Sequence, residues 1–210
     1  MANRFTLHGL WLSGPTYKVA LMLSLCGEPF DYVHVDLRAG EHKRPDYLEK
    51  NRYGQVPCLT DGQASFCQSA SILQYLAETL AKFDGDTAQE RARIREWMYW
   101  DFDRLAPAIY RSRAYRAGFR QADDAVKAMY ADEGKAALTL LDTELGKSAW
   151  LVGTHPTIAD IDVYGVIHYL ADGGFDLAEY TNIAAWKKRL EALPGFGMPE
   201  QLMPQATMAA

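Results

Sequence analysis

The sequence predicts two regions of different class: an α/β domain whose elements follow the order βαβ–ββα, and an all-helical domain after it. Three observations support this prediction. Residues 5–37 have the pattern of strand, helix and strand, residues 54–76 have that of a hairpin followed by a helix start, and only helical periodicity is visible from Ala88 onward. At 210 residues, 49% of them hydrophobic, the chain can bury the core that such a fold requires.

The first half of the α/β domain is predicted from a strand at Phe5–His8 and a second strand at Tyr32–Leu37. Between them a helix starts at Ser13-Gly14-Pro15, with proline in its first turn, and stops at Gly27. Strand, helix and strand follow each other within about thirty residues, as in a βαβ unit. The two strands are therefore expected to be parallel.

The segment from Gly54 to Leu76 predicts the second half. Val56–Thr60 is a short strand, Asp61-Gly62 is a strong turn signal, and Ala64–Cys67 is the returning strand. Proline cannot donate to a strand ladder, and a cis Val56–Pro57 peptide is one way to place it there. Ser69 is expected to cap the following helix, whose first N–H groups can face an anion. The two halves together give a thioredoxin-like plan.

A polar loop, Arg38–Tyr53, connects the two halves. It is longer than most connections, which indicates either a binding loop or a short helix near Asp46–Glu49. After Lys82, a polar linker precedes Thr87, a candidate N-cap for the next helix. The predicted domains are therefore 1–82 and 88–200.

The second domain is predicted to be helical throughout, because its apolar residues recur at helical spacing. Thr157–Asp160 has the pattern of a capping box before an almost wholly apolar helix, and Asn182 is expected to cap the last helix. The tail after Met198 is expected to be disordered. Two further sets of residues follow helical spacing: Ile94, Trp97, Met98, Asp101 and Leu105, and Val126, Met129, Tyr130, Ala137, Leu140, Leu141 and Leu145.

Composition excludes several classes of function. A net charge of −5 argues against nucleic-acid binding, and four clustered arginines are expected to form a solvated face, Arg111, Arg113, Arg116 and Arg120. No apolar run of about 18 residues predicts a membrane span, and the N-terminal residues do not resemble a secretory signal. Three cysteines without a CxxC motif favour a reducing compartment. We therefore expect a cytoplasmic protein.

Three motifs resemble the glutathione transferases. N-x-x-G-Q-V-P-x-L-x-D-G begins at Asn51, x-S-x-x-I-x-x-Y-L begins at Gln68, and W-L-V-G-x-x-P-T-I-A-D begins at Trp150. The resemblance covers most of the chain. In the family, the first motif carries a cis-proline, the second grips the γ-glutamyl end of glutathione, and the third opens the central helix of the helical domain.

The L-H-G-x-x-x-S segment that ends at Ser13 resembles the serine-type transferases, phi-like and theta-like members of bacteria included. The resemblance implies that Ser13 holds the glutathione thiolate, although an ordinary helix cap has the same pattern. It also implies a glutathione-binding set, which is His42, Lys43, Gln55, Val56, Pro57, Gln68 and Ser69. Gln68 departs from the acidic residue usual in the family. Because Gln68 lacks the negative charge, either glutathione binds more weakly or Asp101 supplies the counter-charge. The alternative interpretation of Asp101 is a polar residue on the flank of a helix.

A pocket for the second substrate is expected around Trp11, Leu12 and Tyr110, although aromatic residues at helical spacing also build cores. No cysteine occupies the Ser13 position, which argues against a thiol–disulfide exchanger, and all three cysteines are expected to pack as small hydrophobes. The predicted function is transfer of glutathione, as co-substrate and without a metal, to a hydrophobic electrophile, or reduction of organic hydroperoxides. A non-catalytic regulatory or assembly module is the alternative. The resemblance also implies a homodimer.

Overall fold

The computed structural model describes residues 3–204. This part of the chain divides into two compact units. The first comprises the residues up to Lys82 and those from Leu193 onward, and the second comprises Phe83–Ala192. No helix among the described residues is both long enough and apolar enough to cross a bilayer.

The first unit contains a four-stranded mixed sheet in the order β2-β1-β3-β4. β1 is parallel to β2 and antiparallel to β3, and β3 is antiparallel to β4. The predicted βαβ–ββα plan is thereby confirmed. The strands are β1 Phe5–Gly9, β2 Phe30–His34, β3 Cys58–Asp61 and β4 Ala64–Cys67.

Three strands have different bounds from those predicted, and β1 differs only by extending one residue further, to Gly9. β2 ends at His34 rather than Leu37, because the Asp36 carboxylate accepts the backbone N–H groups of Arg38 and Ala39 and turns the chain. β3 begins at Cys58, one residue after Pro57, which has no N–H to give to a ladder.

The helices of the first unit are α1 Gly14–Leu25, α2 Pro45–Leu48, α3 Ser69–Leu80 and α9 Pro199–Leu202, with a 3₁₀ turn at Glu41–Lys43. Gly27, with φ 68°, follows the end of α1 as predicted.

The segment after Met198 was expected to be disordered, and this is wrong for its described part. This segment contains α9, and Met203, which follows α9, is fully buried. The residues just before the segment are held against α1, because the hydroxyls of Tyr17 and Ser24 donate to the carbonyls of Gly197 and Gly195. Residues 205–210 lie outside the described residues.

The second unit is helical: α4 Ala88–Trp100, α5 Ala106–Arg116, α6 Asp124–Leu145, α7 Ile158–Ile167 and α8 Thr181–Glu191. A π-helical turn at Asp101–Leu105 joins α4 to α5, and a 3₁₀ turn at Leu177–Glu179 precedes α8. Pro107 at the start of α5 cannot donate to the preceding turn, which accounts for the irregular junction.

Every residue of α7 is buried, and its predicted capping box is present. Asp160 accepts hydrogen bonds from the N–H and hydroxyl of Thr157. It also accepts the N–H of Leu151 and the indole N–H of Trp186, which the sequence pattern does not reveal. Burial raises the pKa of Asp160, while these donors act in the opposite direction.

Two expectations for the helical half are wrong. Val126, Met129 and Leu140 are exposed, because α6 buries the face of Gly134, Ala137, Leu138, Leu141 and Leu145. Gly134 lets the Phe175 ring approach, since a Cβ there would lie 2.4 Å from the ring. Asn182 does not cap α8, which Tyr180 precedes, but donates to Asp142.

The arginine cluster is also not a uniformly solvated face. Arg113 is only 14% exposed, pairs with Asp172 at 3.0 Å, and lies over the ring of Tyr169 at 3.9 Å from its centroid. A guanidinium can satisfy an aromatic face and a carboxylate together, which explains how it tolerates this burial.

The two capping boxes of the helical unit allow a test of how burial changes the contribution of a capping carboxylate to stability, because one lies at an exposed helix start and the other is buried. Glu90 receives the N–H groups of Asp86 and Thr87 at the exposed start of α4. We expect Glu90→Ala to reduce the free energy of unfolding by ~1 kcal/mol. Asp160→Ala is expected to cost ~3–5 kcal/mol, because the donors of Leu151 and Trp186 are left unsatisfied in the core. Urea denaturation of the two variants measures both values, and equal losses would contradict the role assigned to Asp160.

Candidate functional site

The residues singled out in the first unit converge on one edge of the sheet. Gly9 ends β1 opposite His34 at the end of β2, and His8 pairs with Cys58 at the start of β3. Cys58 in turn faces Cys67 at the end of β4. The starts of α1 and α3 and the segment before β3 are therefore all at the edge where β1 ends. Crevices at the carboxyl ends of parallel strands are frequent ligand sites.

Ser13 is the N-cap of α1, as predicted. Its Oγ accepts the N–H of Thr16 at 3.2 Å, and its backbone N–H donates to the Leu10 carbonyl at 2.9 Å. Gly9 allows α1 to start this close to β1, because a Cβ there would lie 2.1 Å from the Thr16 side chain. The capping bond uses a lone pair of Oγ and leaves the O–H as a donor.

The segment before β3 is held in place by two side chains. The Val56–Pro57 peptide is cis. The carbonyl of Gln55 accepts the hydroxyl of Tyr47 and the amide of Asn51, both at 2.6 Å. The same Asn51 amide lies 3.4 Å from the carbonyl of Pro57. Tyr47 and Asn51 are both buried, so they position Gln55 and Val56 without being exposed themselves.

The 3₁₀ turn that carries His42 and Lys43 packs against Gly54. The Lys43 ammonium donates to the Gly54 carbonyl at 3.1 Å. A side chain at Gly54, which has φ 56°, would lie 2.8 Å from that ammonium and 3.0 Å from the His42 carbonyl. Nδ1 of His42 is buried and makes no hydrogen bond within residues 3–204. The side chains of His42 and Lys43 therefore lie beside the segment that Asn51 fixes.

The start of α3 differs from its prediction. Ser69 is the first helical residue rather than the cap, because Gln68 leaves the helical region with φ 69° and ψ 115°. Such a backbone is uncommon outside glycine and costs on the order of 1–3 kcal/mol. The Gln68 amide donates to the Gln55 side chain at 3.3 Å, which leaves its oxygen available as an acceptor. The N–H groups at the start of α3 face the same edge.

Two other candidates, Tyr110 and Asp101, belong to the helical unit. The Tyr110 hydroxyl donates to the Gly165 carbonyl at 3.1 Å and its ring meets Tyr169 edge-on, so at least part of it packs within that unit. Asp101 is 1% exposed at the start of the π-helical turn. Trp11 and Leu12 are half-buried in the loop between β1 and α1.

Sequence reasoning missed the supporting residues Tyr47 and Asn51. Asn51 stands at the first position of the motif that contains Pro57, and this was a signal that could have indicated its role. Tyr47 had no such signal. Among the described residues, no group of three or more His, Cys, Asp or Glu side chains is placed to hold a metal ion.

Known protein families and relatives match most of the chain. The family model "Glutathione S-transferase, N-terminal domain" matches residues 15–79, and "Glutathione S-transferase, C-terminal domain" matches residues 106–194. The chain is 30% identical to maleylacetoacetate isomerase of Rhizobium meliloti (strain 1021), across 93% of this chain and 95% of that protein.

Two further similar proteins are a disulfide-bond oxidoreductase and a glutathione S-transferase of known structure. Disulfide-bond oxidoreductase YfcG of Escherichia coli (strain K12) is 26% identical, across 86% of this chain and 87% of that protein. The solved structure of a glutathione S-transferase from Pseudomonas fluorescens Pf-5 superposes with a TM-score of 0.88 at 29% identity, and the match covers 93% of this chain and 98% of that one.

The Gln55 carbonyl accepts hydrogen bonds from Tyr47 and Asn51, and we expect removal of these two donors to destabilise the protein by different amounts. Tyr47→Phe leaves the Asn51 amide in place, so we expect a loss of ~0.5–1.5 kcal/mol in the free energy of unfolding. Asn51→Ala removes the contacts to Gln55 and Pro57 and an acceptor of the Tyr53 N–H, so we expect ~2–4 kcal/mol. Urea denaturation gives both values. A larger loss in Tyr47→Phe would show that Tyr47, not Asn51, fixes the segment.

Proposed function

Because this chain belongs to the glutathione S-transferase family, we propose that it binds glutathione in its first unit and transfers the thiolate to hydrophobic electrophiles or uses it to reduce organic hydroperoxides. Glutathione is a co-substrate in this proposal, and no metal takes part. The observation that supports it best is the Ser13 hydroxyl, which caps α1 and keeps its proton available to a ligand atom at the sheet edge.

We assign the γ-glutamyl end of glutathione to the start of α3. Its carboxylate accepts the Ser69 hydroxyl and the N–H groups at the helix N-terminus, where the helix dipole favours an anion. Its ammonium donates to the Gln68 side-chain oxygen, which the hydrogen bond to Gln55 orients. A neutral amide gives this ammonium a weaker hydrogen bond than a carboxylate would.

The other two residues of the tripeptide extend along the fixed segment. The cysteinyl backbone pairs with the Val56 backbone before Pro57, in the manner of an added strand. The glycyl carboxylate meets Lys43 and His42. Lys43 uses one N–H on the Gly54 carbonyl and keeps the others for the ligand.

Ser13 then donates to the glutathione sulfur. A free thiol has a pKa near ~8.5, and lowering it by ~2 units requires ~2.7 kcal/mol of preferential stabilisation of the thiolate. A hydrogen bond to a charged sulfur contributes ~1.5–3 kcal/mol, and the N-terminus of α1 contributes ~0.3–1 kcal/mol. The serine and the helix end together are therefore sufficient in magnitude.

The relatives of this chain include proteins named as an isomerase and a disulfide-bond oxidoreductase as well as transferases. The first experiment is therefore binding to immobilised glutathione, followed by assays with an aryl halide, cumene hydroperoxide and a low-molecular-weight disulfide. Turnover of the halide or the hydroperoxide supports the proposal. Binding without turnover of any of the three would favour a non-catalytic module instead.

We further propose that the protein works as a cytoplasmic homodimer in detoxification. All three cysteines are free thiols, which suits a reducing compartment. Tyr99 and Phe102, on either side of the junction between α4 and the π-helical turn, are 65% and 71% exposed, and a second subunit can cover these two apolar side chains.

The Ser13→Ala variant tests the role in activating the thiol. Glutathione affinity should stay within a few-fold, because the groups assigned to its backbone and carboxylates are unchanged. The pKa of the bound thiol should rise by ~1–2 units, and conjugation at neutral pH should fall about ten- to hundredfold. The measurement is the ultraviolet absorbance of the bound thiolate as a function of pH.

Ser69→Ala is the matched control for this titration. It should weaken glutathione binding through the γ-glutamyl carboxylate and leave the pKa of the bound thiol unchanged. Superimposable titrations for wild type and Ser13→Ala would rule out Ser13 as the sulfur's donor. The donor would then be sought among the backbone N–H groups of Gly14–Tyr17.

The homodimer is tested by sedimentation equilibrium at micromolar concentration. We expect twice the mass of one chain for the wild type, and the mass of one chain for the double variant Tyr99→Glu/Phe102→Glu, because two carboxylates cannot be buried in an apolar interface. Val126→Glu, at an exposed apolar residue elsewhere on the helical unit, is the control and should remain dimeric. A wild-type mass equal to one chain would contradict the proposal.

A further inference from the structure

Two of the three cysteines face each other across the β3–β4 hairpin. Cys58 and Cys67 are direct partners in the antiparallel register. The hairpin closes through a two-residue turn in which Gly62 has φ 60° at the first central position, as in a type II′ turn. Counting back from the closing pair, hydrogen-bonded and non-hydrogen-bonded pairs alternate, and the cysteines fall on a non-hydrogen-bonded pair. In such pairs the Cα atoms are ~4.5 Å apart, within the range of disulfides.

The two thiols also share one acceptor. The Lys50 carbonyl lies 3.6 Å from Sγ of Cys58 and 3.5 Å from Sγ of Cys67. Both sulfurs therefore point to the same side of the hairpin, toward the chain that leaves α2. They pack in a small apolar cluster with Val35 and Tyr47.

The two thiols differ in access. Cys58 is fully buried, whereas Cys67 is partly exposed. Burial raises the pKa of both, to about 12 for Cys58, while the neighbouring Cys58 thiol acts to lower the pKa of Cys67. Cys67 is thus the thiol that an oxidant meets first and the one that ionises more readily.

We propose that Cys58 and Cys67 are a reversible dithiol–disulfide pair beside the glutathione site, oxidised by a low-molecular-weight disulfide that enters at Cys67. The Cys67 thiolate attacks a sulfur of glutathione disulfide, a mixed disulfide forms, and one glutathione leaves as thiolate. Cys58 then attacks the Cys67 sulfur, and the second glutathione leaves as the thiolate that takes up the Cys58 proton. In total, one glutathione disulfide and two cysteine thiols yield one cystine and two glutathione molecules.

Oxidation of the two cysteines should change the conformation of the proposed ligand site through its effect on Lys50. Both S–H donors to the Lys50 carbonyl are lost when the disulfide forms. Asn51, the next residue, holds the carbonyls of Gln55 and Pro57. Loosening the chain at Lys50 therefore loosens the segment to which the cysteinyl part of glutathione is assigned, and this consequence rests on the proposed function.

The test of the disulfide itself does not depend on glutathione binding. The folded protein is incubated with excess glutathione disulfide at pH 8, unreacted thiols are alkylated in denaturant, and intact mass and peptide mapping follow. We expect the number of free thiols to fall from three to one, with a peptide cross-link between Cys58 and Cys67 and an unchanged far-ultraviolet circular dichroism spectrum. The rate should rise about tenfold per pH unit below the pKa of Cys67.

Three serine variants make the result specific. Cys26→Ser, at a buried cysteine outside the hairpin, should form the cross-link as the wild type does. Cys58→Ser should stop at one glutathione bound to Cys67, and Cys67→Ser should remain reduced. Retention of three thiols in the wild type, a stable mixed disulfide as its end product, or a cross-link formed only in urea would overturn the proposal. Should a variant fail to fold, the mapping of the wild type alone decides.

The effect on the ligand site is measured separately with S-methylglutathione, which has no thiol and cannot reduce the disulfide. Oxidised wild type should bind it about fivefold more weakly than reduced wild type, a difference of ~1 kcal/mol, and Cys67→Ser should not respond to the oxidant. Equal affinities in cross-linked and reduced protein would overturn the coupling through Lys50. No binding by the reduced protein would instead contradict the proposed function and leave the thiol count to decide the disulfide.

Discussion

The amide of Asn51 fixes the part of the first unit on which the proposed ligand site depends. It is buried and reaches the carbonyls of Gln55 and Pro57, on either side of the Val56–Pro57 bond. A buried polar group of this kind costs free energy unless its partners are in place, so it tolerates only one arrangement of the segment. The Lys43 contact to Gly54 and the Gln68 contact to Gln55 both attach to that segment. The Lys43 ammonium and the start of α3 are thereby brought to the same segment.

The helical unit uses the same physical device for a different purpose. Asp160 joins the start of α7, the preceding loop at Leu151 and the Trp186 side chain on α8 through one carboxylate. An apolar contact at this position would tolerate sliding, whereas a carboxylate with four donors specifies direction and distance. The almost wholly apolar α7 therefore has one fixed register with its neighbours. In both units, a single satisfied polar side chain positions several elements.

Ser13 illustrates how a structural residue becomes available for chemistry. The lone pair of its oxygen caps α1, and its proton is left at the end of the helix where negative charge is favoured. The structural role and the proposed role are thus made by different atoms of one hydroxyl group, and neither weakens the other. The thiols of Cys58 and Cys67 are a second example, since both support the Lys50 carbonyl and we propose that they also react with each other.

The sequence by itself determined the elements whose signals are local. Pro57, the Asp61-Gly62 turn, the Ser13 cap and the Thr157–Asp160 box depend on residues a few positions apart, and the structure contains all four. The βαβ–ββα plan followed from their order and was confirmed. The tertiary structure alone decided which face of α6 is buried, since Gly134 meets the Phe175 ring from a distant segment. It also decided that Tyr47 and Asn51 hold Gln55, that Gln68 rather than Ser69 precedes α3, and that Cys58 and Cys67 share an acceptor. These outcomes depend on burial and on partners brought together by folding, which spacing along the chain does not encode.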